Sequence, residues 1–519
     1  NRHLQACLQG CPLLFVQNHS SSCGFKRNTV PFERKLRSQG NNKHKHSEMK
    51  CEARNRAEHR TSKKLKAHPM KCEARNRAEH KSSKKLKARP MEHKVRNRAE
   101  HRTSKKLNER NLTMKKIKGG VTAPKGFAAM GLKAGIKKDK KDMAMIYSST
   151  PCVAAGTFTT NQVKAAPVIW DRDTIYTSDY VYAVVCNSGV ANACTGKIGM
   201  DYCEQMAEAT AKALDIEKRQ VLVASTGVIG AQLPMDKITK GIQLLAPTLD
   251  ESLDGGHLAA EAIMTTDTIP KEIAFEFEIG GKTCTIGGMC KGSGMIHPNM
   301  CTMLGFIMTD VKISKSMLYE ALSGDIKDTF NMISVDGDTS TNDTVLLLAN
   351  GLADNPEITE KNEDYYKFVE ALHAVNEFLA KKIAGDGEGA TALFEVKIVN
   401  AESKEQAVTL AKSIVTSSLT KAAIYGHDAN WGRILCAMGY STAKFEPEKV
   451  DIYFESKAGK LKIVENGMAT DYSEAKATKI LSENEVTAIA DVKMGDCTAT
   501  AWGCDLTHEY VSINADYRS

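Results

Sequence analysis

The sequence has no apolar run long enough to cross a membrane, and its 15 cysteines include no Cys-x-x-Cys pair. A membrane-spanning helix needs about 20 predominantly apolar residues. The common zinc sites use closely spaced cysteine pairs, and a disulfide framework uses an even number of cysteines. The cysteines instead stand singly among apolar or strand-like neighbours, as at Cys186, Cys194, Cys436, Cys497 and Cys504. We therefore expect a soluble intracellular protein, without a membrane partner, whose cysteines are reduced and mostly buried.

The excess of positive charge is confined to the first part of the chain. The whole chain has a formal net charge of +9, but residues 1–113 hold 30 Lys and Arg against 9 Asp and Glu, a local charge of +21. The remaining residues hold 41 basic and 53 acidic side chains, or −12. An acidic body has no electrostatic reason to bind a polyanion, so we predict no nucleic-acid partner for it.

Three related copies of a 21-residue unit, beginning at Met49, Met70 and Met91, account for most of this basic extension. Each copy has almost no large apolar residue besides its leucine and no aromatic residue, so we predict disorder rather than a stacked solenoid. Three interpretations stay open: a nucleic-acid-binding arm, a targeting peptide within residues 1–40, or upstream DNA that is translated by mistake. The near-identity of the copies and the first residue, Asn1, favour the third interpretation, in which the native chain starts at Met114.

A glycine-rich segment, residues 291–298, leads into a strand-like apolar run at residues 303–308, and Thr302 lies at the boundary. A threonine at such a place can attack the preceding carbonyl, that of Cys301, and break the chain. Its new α-amine would then serve the same hydroxyl as a base. On this pattern alone, a turn that enters a buried strand is the commoner explanation.

Other segments are equally ambiguous when each is taken alone. The apolar run at residues 221–224 ends in Ser225-Thr226-Gly227, a glycine turn whose N–H groups could face a cavity. Alternating runs at residues 272–279 and 282–289 flank a Gly-Gly turn and predict a hairpin that leads to Lys291. The acid-rich loop at residues 334–343 lacks the glutamate of a calcium-binding loop, so we predict scaffolding rather than a metal site.

Together and in this order, these motifs resemble the ornithine acetyltransferase family, the glutamate N-acetyltransferases of arginine biosynthesis. The resemblance covers residues 114–519 and includes Lys-Gly-Ser-Gly-Met from Lys291, the Pro-Asn-Met-Cys-Thr run, Gly-Asp-Gly-Glu up to Glu388, and Asn-Ala-Asp-Tyr-Arg-Ser from Asn514. The sequence departs from the family at Cys301, where alanine is usual, and at Ser519, where threonine is usual.

The resemblance implies an α/β fold of layered sheets and helices, similar to N-terminal-nucleophile acyltransferases. It also implies self-cleavage between Cys301 and Thr302. The halves, residues 114–301 and 302–519, would stay together as α and β chains and assemble into an α2β2 heterotetramer. The expected location is the cytoplasm, or the mitochondrial matrix if the protein is eukaryotic and its extension is genuine.

The resemblance also assigns roles to individual residues. Thr302 would be the nucleophile, while the Thr226 side chain and the Gly227 N–H would form the oxyanion hole. The residues expected to bind substrate are Thr268, Lys291, Thr302, Glu388, Asn514 and Ser519.

The implied reaction transfers acetyl from N2-acetylornithine to glutamate in two steps through acetyl-Thr302. It needs no metal or organic cofactor, although some members of the family also use acetyl-CoA as a donor substrate. One alternative is an N-terminal-nucleophile amidohydrolase or aminopeptidase, which would use the same threonine but pass the acyl group to water. The other alternative, a nucleic-acid-binding protein, would depend on the basic extension alone.

Overall fold

The computed structural model describes residues 114–297 and 303–516, which form two β-sheets and the helices that cover them. The strands in these ranges are β1 (Lys115–Ile117), β2 (Phe127–Leu132), β3 (Met143–Phe158), β4 (Val181–Val190), β5 (Val221–Val228), β6 (Lys271–Ile279), β7 (Lys282–Lys291), β8 (Leu304–Thr309), β9 (Ile333–Ser334), β10 (Thr344–Ala349), β11 (Leu393–Ala401), β12 (Asp451–Ser456), β13 (Gly459–Glu465), β14 (Met468–Ala469), β15 (Glu485–Asp491) and β16 (Cys497–Cys504). The α-helices are α1 (Ala166–Thr177), α2 (Ile198–Leu214), α3 (Met235–Leu245), α4 (Leu253–Ile263), α5 (Lys315–Asp325), α6 (Glu363–Gly385), α7 (Lys404–Val415), α8 (Ser418–Tyr425), α9 (Trp431–Gly439), α10 (Glu474–Leu481) and α11 (His508–Asp516). The predicted α/β fold of layered sheets and helices is confirmed.

The larger sheet joins the two halves of the chain. Its strand order in the described residues is β1-β6-β7-β8-β10-β3-β4-β5, with β2 also paired to β3. Strand β8 lies between β7, to which it is antiparallel, and β10, to which it is parallel. Residues before and after the segment 298–302 therefore belong to one continuous hydrogen-bonded sheet. The smaller sheet has the order β14-β13-β12-β15-β11-β16-β9.

The predicted hairpin is confirmed. Strands β6 and β7 pair from Lys271 opposite Cys290 to Ile279 opposite Lys282. The turn residues Gly280 and Gly281 have φ angles of 56° and 75°, which are the positive values that a tight hairpin turn requires and that glycine adopts without strain.

Helix α6 packs against both sheets. Its buried residues recur every three or four positions and include Phe368, Leu372, Val375, Leu379 and Ile383. This spacing places them on a broad face of the helix. The N-terminus is capped by the Asn362 side chain, which accepts a hydrogen bond from the Tyr365 N–H at 3.0 Å. The helix ends at Gly385, directly before the predicted substrate-binding segment that contains Glu388.

The described cysteines largely follow the prediction of buried, reduced thiols. Six of the nine are buried and none of the nine forms a disulfide bond. Burial raises the pKa of Cys152 and of Cys186 to about 12, so both remain protonated. The expectation fails at Cys194 and Cys436, which are exposed: Cys194 lies in a loop between β4 and α2, and Cys436 lies on the outer face of α9. No helix in the described ranges is long and apolar enough to span a membrane.

Gly131 in β2 tests the close packing of the larger sheet on α4. A Cβ atom at this position would lie 1.9 Å from the carbonyl oxygen of Leu258. We expect Gly131→Ala to lower the free energy of unfolding by about 3 kcal/mol, because the strand or the helix must move. The matched control is Gly324→Ala in α5, where a Cβ atom meets nothing within 4 Å; it should raise stability by up to about 1 kcal/mol. Equal denaturation midpoints for the two variants would contradict this packing.

Candidate active site

The turn at the end of β5 carries Thr226 and Gly227 and is anchored from two directions. The Ser225 hydroxyl donates to Asn187 Oδ1 at 2.7 Å, and Asn342 Nδ2 donates to the Ser225 carbonyl oxygen at 2.8 Å. All three anchoring side chains are buried. The backbone that presents Thr226 and Gly227 is therefore held in one arrangement by hydrogen bonds that water cannot easily replace.

Gly227 is needed because two strand ends meet at this point. Its φ angle is 129°, and a Cβ atom would lie 2.3 Å from the carbonyl carbon of Gly189 on β4. The pairing of β4 with β5 also becomes irregular here, at Val190. A residue with a side chain would therefore be strained and would push the strands apart.

Lys291 and Thr226 line the same small cavity. Lys291 is the last residue of β7, lies opposite Leu304 of β8, and is only 8% exposed. Met303 and Gly294 also line this cavity. Two of the residues singled out by sequence, Thr226 and Lys291, thus lie around one space, which also reaches Met303, the residue that follows Thr302 in the chain.

Cys301, Thr302 and Ser519 lie outside the described residues, so their predicted roles stay predictions. The flanks of the predicted cleavage site are described. On one side, Asp336 accepts hydrogen bonds from the backbone N–H groups of Met295 and Ile296 at 2.6 and 2.8 Å. On the other side, the Met303 carbonyl oxygen accepts from the Thr344 N–H at 2.8 Å.

Both contacts come from the acid-rich loop and its continuation into β10. The Asp336 carboxylate and the Thr344 N–H thus hold the backbone on the two sides of residues 298–302, which agrees with the predicted scaffolding role. No cluster of three or more potential metal-ligating His, Cys, Asp or Glu residues occurs in the parts of the chain that the structure describes.

His297, at the end of the described approach segment, is held as a neutral imidazole. Its Nδ1 lies 3.1 Å from Ser334 Oγ, and its carbonyl oxygen accepts from the Thr339 hydroxyl at 2.9 Å. Burial, with a smaller contribution from the Lys412 ammonium, lowers the pKa of His297 to about 4.

Thr268 is oriented by Asp386, which lies 118 positions further along the chain. The Thr268 N–H donates to Asp386 Oδ2 at 3.1 Å, and its hydroxyl donates to Asp386 Oδ1. Thr268 is itself exposed, whereas Asp386 is buried. One carboxylate therefore holds both the backbone and the side chain of this predicted substrate-binding residue.

The Asp386 carboxylate pairs in turn with a buried lysine, Lys271. The Lys271 ammonium also contacts Asp267 Oδ1 at 2.7 Å, and the side chains of Lys271 and Asp267 are 0% exposed. Burial opposes ionisation of Lys271, yet the two carboxylates raise its pKa above the usual range. Burial likewise works against the Asp267 carboxylate, but Lys291 and Lys271 hold its pKa well below the usual range. We call Asp267, Lys271 and Asp386 the ion triad.

Glu388 and Asn514, both predicted to bind substrate, are in direct contact. Asn514 Nδ2 donates to Glu388 Oε2 at 2.8 Å. The backbone N–H of Glu388 donates to the Ser293 carbonyl oxygen at 2.9 Å, and a Cβ atom on Gly294 would lie 2.4 Å from the Glu388 carboxylate. Since Gly294 lines the cavity that contains Lys291, the Glu388 carboxylate lies at the edge of the same region.

Sequence reasoning missed the ion triad and Asp343. Lys271 follows Asp267 by four residues, and Asp386 precedes Glu388 by two. The members of the triad therefore lie beside segments that the sequence predicts to bind substrate. Asp343 is 1% exposed and lines the cavity, and its Oδ2 has no hydrogen-bond partner among the described residues. Burial raises the pKa of Asp343 well above its usual range, which favours its neutral form.

Most of the chain matches a known protein family and proteins that belong to it. The model of the ArgJ family matches residues 128–519. The arginine biosynthesis bifunctional protein ArgJ of Thermotoga neapolitana is 51% identical over 397 residues, which are 76% of this chain and 99% of that protein. The protein of the same name from Symbiobacterium thermophilum is 53% identical over 409 residues, covering 78% of this chain and 100% of that protein.

Solved structures also match parts of the chain. The arginine biosynthesis bifunctional protein argJ from Bacillus halodurans is 43% identical, with a TM-score of 0.36, and the match covers 37% of this chain and 100% of that chain. Ornithine acetyltransferase from Mycobacterium tuberculosis, solved in complex with ornithine, is 43% identical with a TM-score of 0.34, covering 36% and 99%.

The low pKa of His297 predicts a pH-dependent loss of stability. Because the folded protein holds this imidazole neutral, its contribution is complete above an unfolded-state pKa of about 6.5 and decreases as the pH falls towards 4. Relative to His297→Gln, which cannot titrate, the wild type should lose about 1 kcal/mol of unfolding free energy between pH 7 and pH 5, allowing for solvent screening. Parallel stability curves in chemical denaturation would contradict a buried neutral imidazole.

Proposed function

This chain belongs to the ArgJ family, and we propose that it transfers an acetyl group from N2-acetylornithine to glutamate in arginine biosynthesis, with Thr302 as the nucleophile. About 50% identity to ArgJ proteins over nearly their whole length supports the reaction. The observation that carries the proposed site is the cavity shared by Thr226, Lys291 and Met303. This cavity supports the proposal because Thr226, the proposed oxyanion donor, and Lys291 line it together with Met303, the residue that follows Thr302.

The first chemical step prepares the nucleophile. The Thr302 hydroxyl oxygen attacks the carbonyl carbon of Cys301, the peptide C–N bond breaks, and the nitrogen takes the hydroxyl proton. Water then hydrolyses the resulting ester, which leaves a carboxylate on Cys301 and a free amine and hydroxyl on Thr302. The Asp336 carboxylate holds the backbone before this segment, and the Thr344 N–H holds the backbone after it. These hydrogen bonds restrict the conformations available to the attack.

Acetyl transfer then uses the new amine as a general base. The α-amine, with a reference pKa of about 8, takes the Thr302 hydroxyl proton while the oxygen attacks the acetyl carbon. The Thr226 hydroxyl and the Gly227 N–H stabilise the negative oxygen, and loss of one such donor typically costs about a hundred- to a thousandfold in rate. The acetyl–nitrogen bond breaks and ornithine leaves with the proton. Glutamate reverses these steps and departs as N-acetylglutamate.

The substrate residues divide by charge. The Glu388 carboxylate suits the side-chain ammonium of acetylornithine, and Asn514 Nδ2 orients that carboxylate by its hydrogen bond at 2.8 Å. The Lys291 ammonium suits a substrate carboxylate or the reacting carbonyl. Thr268 and Ser519 complete the proposed set.

The proposal includes an α2β2 assembly in the cytoplasm, no metal or organic cofactor, and acetyl-CoA as a possible second donor substrate. The sheet supports lasting association of the two fragments after cleavage. Strands β8 and β10, which would belong to the second fragment, lie between β7 and β3 of the first. Separating the fragments would therefore break the hydrogen bonds of two strand pairs, β7–β8 and β10–β3.

Self-cleavage predicts two bands from one purified chain. We expect the wild type to give two fragments on a denaturing gel, with the second beginning at Thr302. Thr302→Ala should give one uncut, inactive band because it lacks the attacking oxygen. Thr498→Ala, at an exposed position in β16, is the control and should be cleaved normally. An uncut Thr302→Ala protein that still transfers acetyl would overturn the assignment.

A second prediction separates transfer from hydrolysis. The release of ornithine from acetylornithine should depend on glutamate, with parallel double-reciprocal plots. Glu388→Gln should raise the KM for acetylornithine at least tenfold, because a neutral amide replaces the partner of an ammonium. Glu320→Gln is the control. This exposed carboxylate lies on α5 and pairs with the Lys361 ammonium at 2.8 Å. Release of acetate at the same rate without glutamate would favour an amidohydrolase instead.

A further inference from the structure

The ion triad connects segments that carry three of the proposed substrate residues. Asp386 holds Thr268 and precedes Glu388 by two positions. Asp267 accepts the backbone N–H of Gly292, directly after Lys291, at 2.7 Å. The Lys271 ammonium lies between the two carboxylates. A single buried cation therefore links both segments through its two carboxylate partners.

The hydrogen bonds of Thr268 also fix the direction in which its hydroxyl can act. A threonine hydroxyl has one proton and two lone pairs. Its proton is given to Asp386 Oδ1, and Asp386 Oδ2 is occupied by the Thr268 N–H and by Lys271. The exposed side of the Thr268 oxygen is left with lone pairs alone. It can accept a hydrogen bond but cannot donate one.

We propose that Lys271 and Asp386 are positioning residues that make Thr268 a hydrogen-bond acceptor for an N–H group of the substrate. This inference rests on the proposed function, which supplies the substrates. The ligand group that Thr268 would select is an amine or an amide rather than a carboxylate. Both substrates of the proposed reaction carry such a group. Acetylornithine offers its amide N–H and its side-chain ammonium, and glutamate offers its amine.

The paired roles of Asp386 and Thr268 are tested by a double-mutant cycle. In Asp386→Asn the amide oxygen must face the Lys271 ammonium, so the amide NH2 faces Thr268 and reverses the direction of its hydroxyl. We expect Asp386→Asn and Thr268→Val each to lower kcat/KM for acetylornithine about tenfold, mainly through KM. The first variant turns the Thr268 hydroxyl proton towards the substrate N–H, and the second removes the accepting oxygen. The double variant should also lose about tenfold. Thr268→Ser, which keeps the hydroxyl, should stay near the wild type.

The nature of the N–H group is tested with two donor analogues. One is the oxygen ester of the donor, which lacks the amide N–H, and the other is N-acetylnorvaline, which lacks the side-chain ammonium. If Thr268 accepts from one of these groups, Thr268→Val should lose its effect with the analogue that lacks that group and keep it with the other. An unchanged tenfold effect with both analogues would overturn the acceptor role.

A structural control separates positioning from general destabilisation. Asp325 is also a buried carboxylate, and it contacts His373 Nδ1 and Asn376 Nδ2, both at 2.6 Å, between α5 and α6. Asp325→Asn should lower Tm at least as much as Asp386→Asn does, but it should leave KM unchanged. Additive losses in the cycle, near a hundredfold in the double variant, would contradict the inference. So would a Thr268→Val protein with wild-type KM, even if Asp386→Asn fails to fold.

Acetyl transfer by the wild type distinguishes a failure of this inference from a failure of the proposed function. If the wild type transfers acetyl and the cycle is additive, only the positioning roles fail. If the wild type is cleaved and folded but transfers no acetyl to glutamate, the proposed function fails and the inference is overturned with it.

Discussion

The contact of the buried Lys271 ammonium with Asp267 and Asp386 is the constraint on which the rest of the site depends. Removing a charge from water is costly, and the cost is offset only when its partners are close and their remaining hydrogen-bonding positions are filled. Here the remaining positions are filled by the backbone of Gly292 and by Thr268. The same contacts that make the buried charge tolerable therefore hold the segments proposed to bind substrate in place.

The larger sheet supplies the second constraint. Lys291 ends β7 opposite Leu304 near the start of β8, and Thr344 at the start of β10 lies on the other side of Leu304. The predicted cleavage site thus falls where three neighbouring strands begin or end. A cut at this place would leave the ladders of the sheet intact, so the proposed cleavage would not disrupt the fold.

Local patterns predicted much of this architecture. The Gly-Gly turn between two alternating runs predicted the β6–β7 hairpin, because this signal lies within a few residues of the chain. The cavity shared by Thr226 and Lys291 could be expected from the resemblance alone. The pairing of Lys271 with Asp386 could not be predicted, because 115 positions separate the two residues. A lysine among polar residues is also usually exposed rather than buried. The exposed Cys194 and Cys436 show the same limit, since an apolar neighbourhood in sequence does not determine which face of an element is buried.

In the proposed reaction Thr302 carries the acetyl group between the two substrates. The most direct test of this role is mass spectrometry of the cleaved protein after incubation with N2-acetylornithine in the absence of glutamate. We expect the fragment beginning at Thr302 to become heavier by one acetyl group, located on that threonine, and to lose it when glutamate is added. An enzyme that transfers acetyl while this fragment keeps its original mass, or carries the group on another residue, would contradict this role.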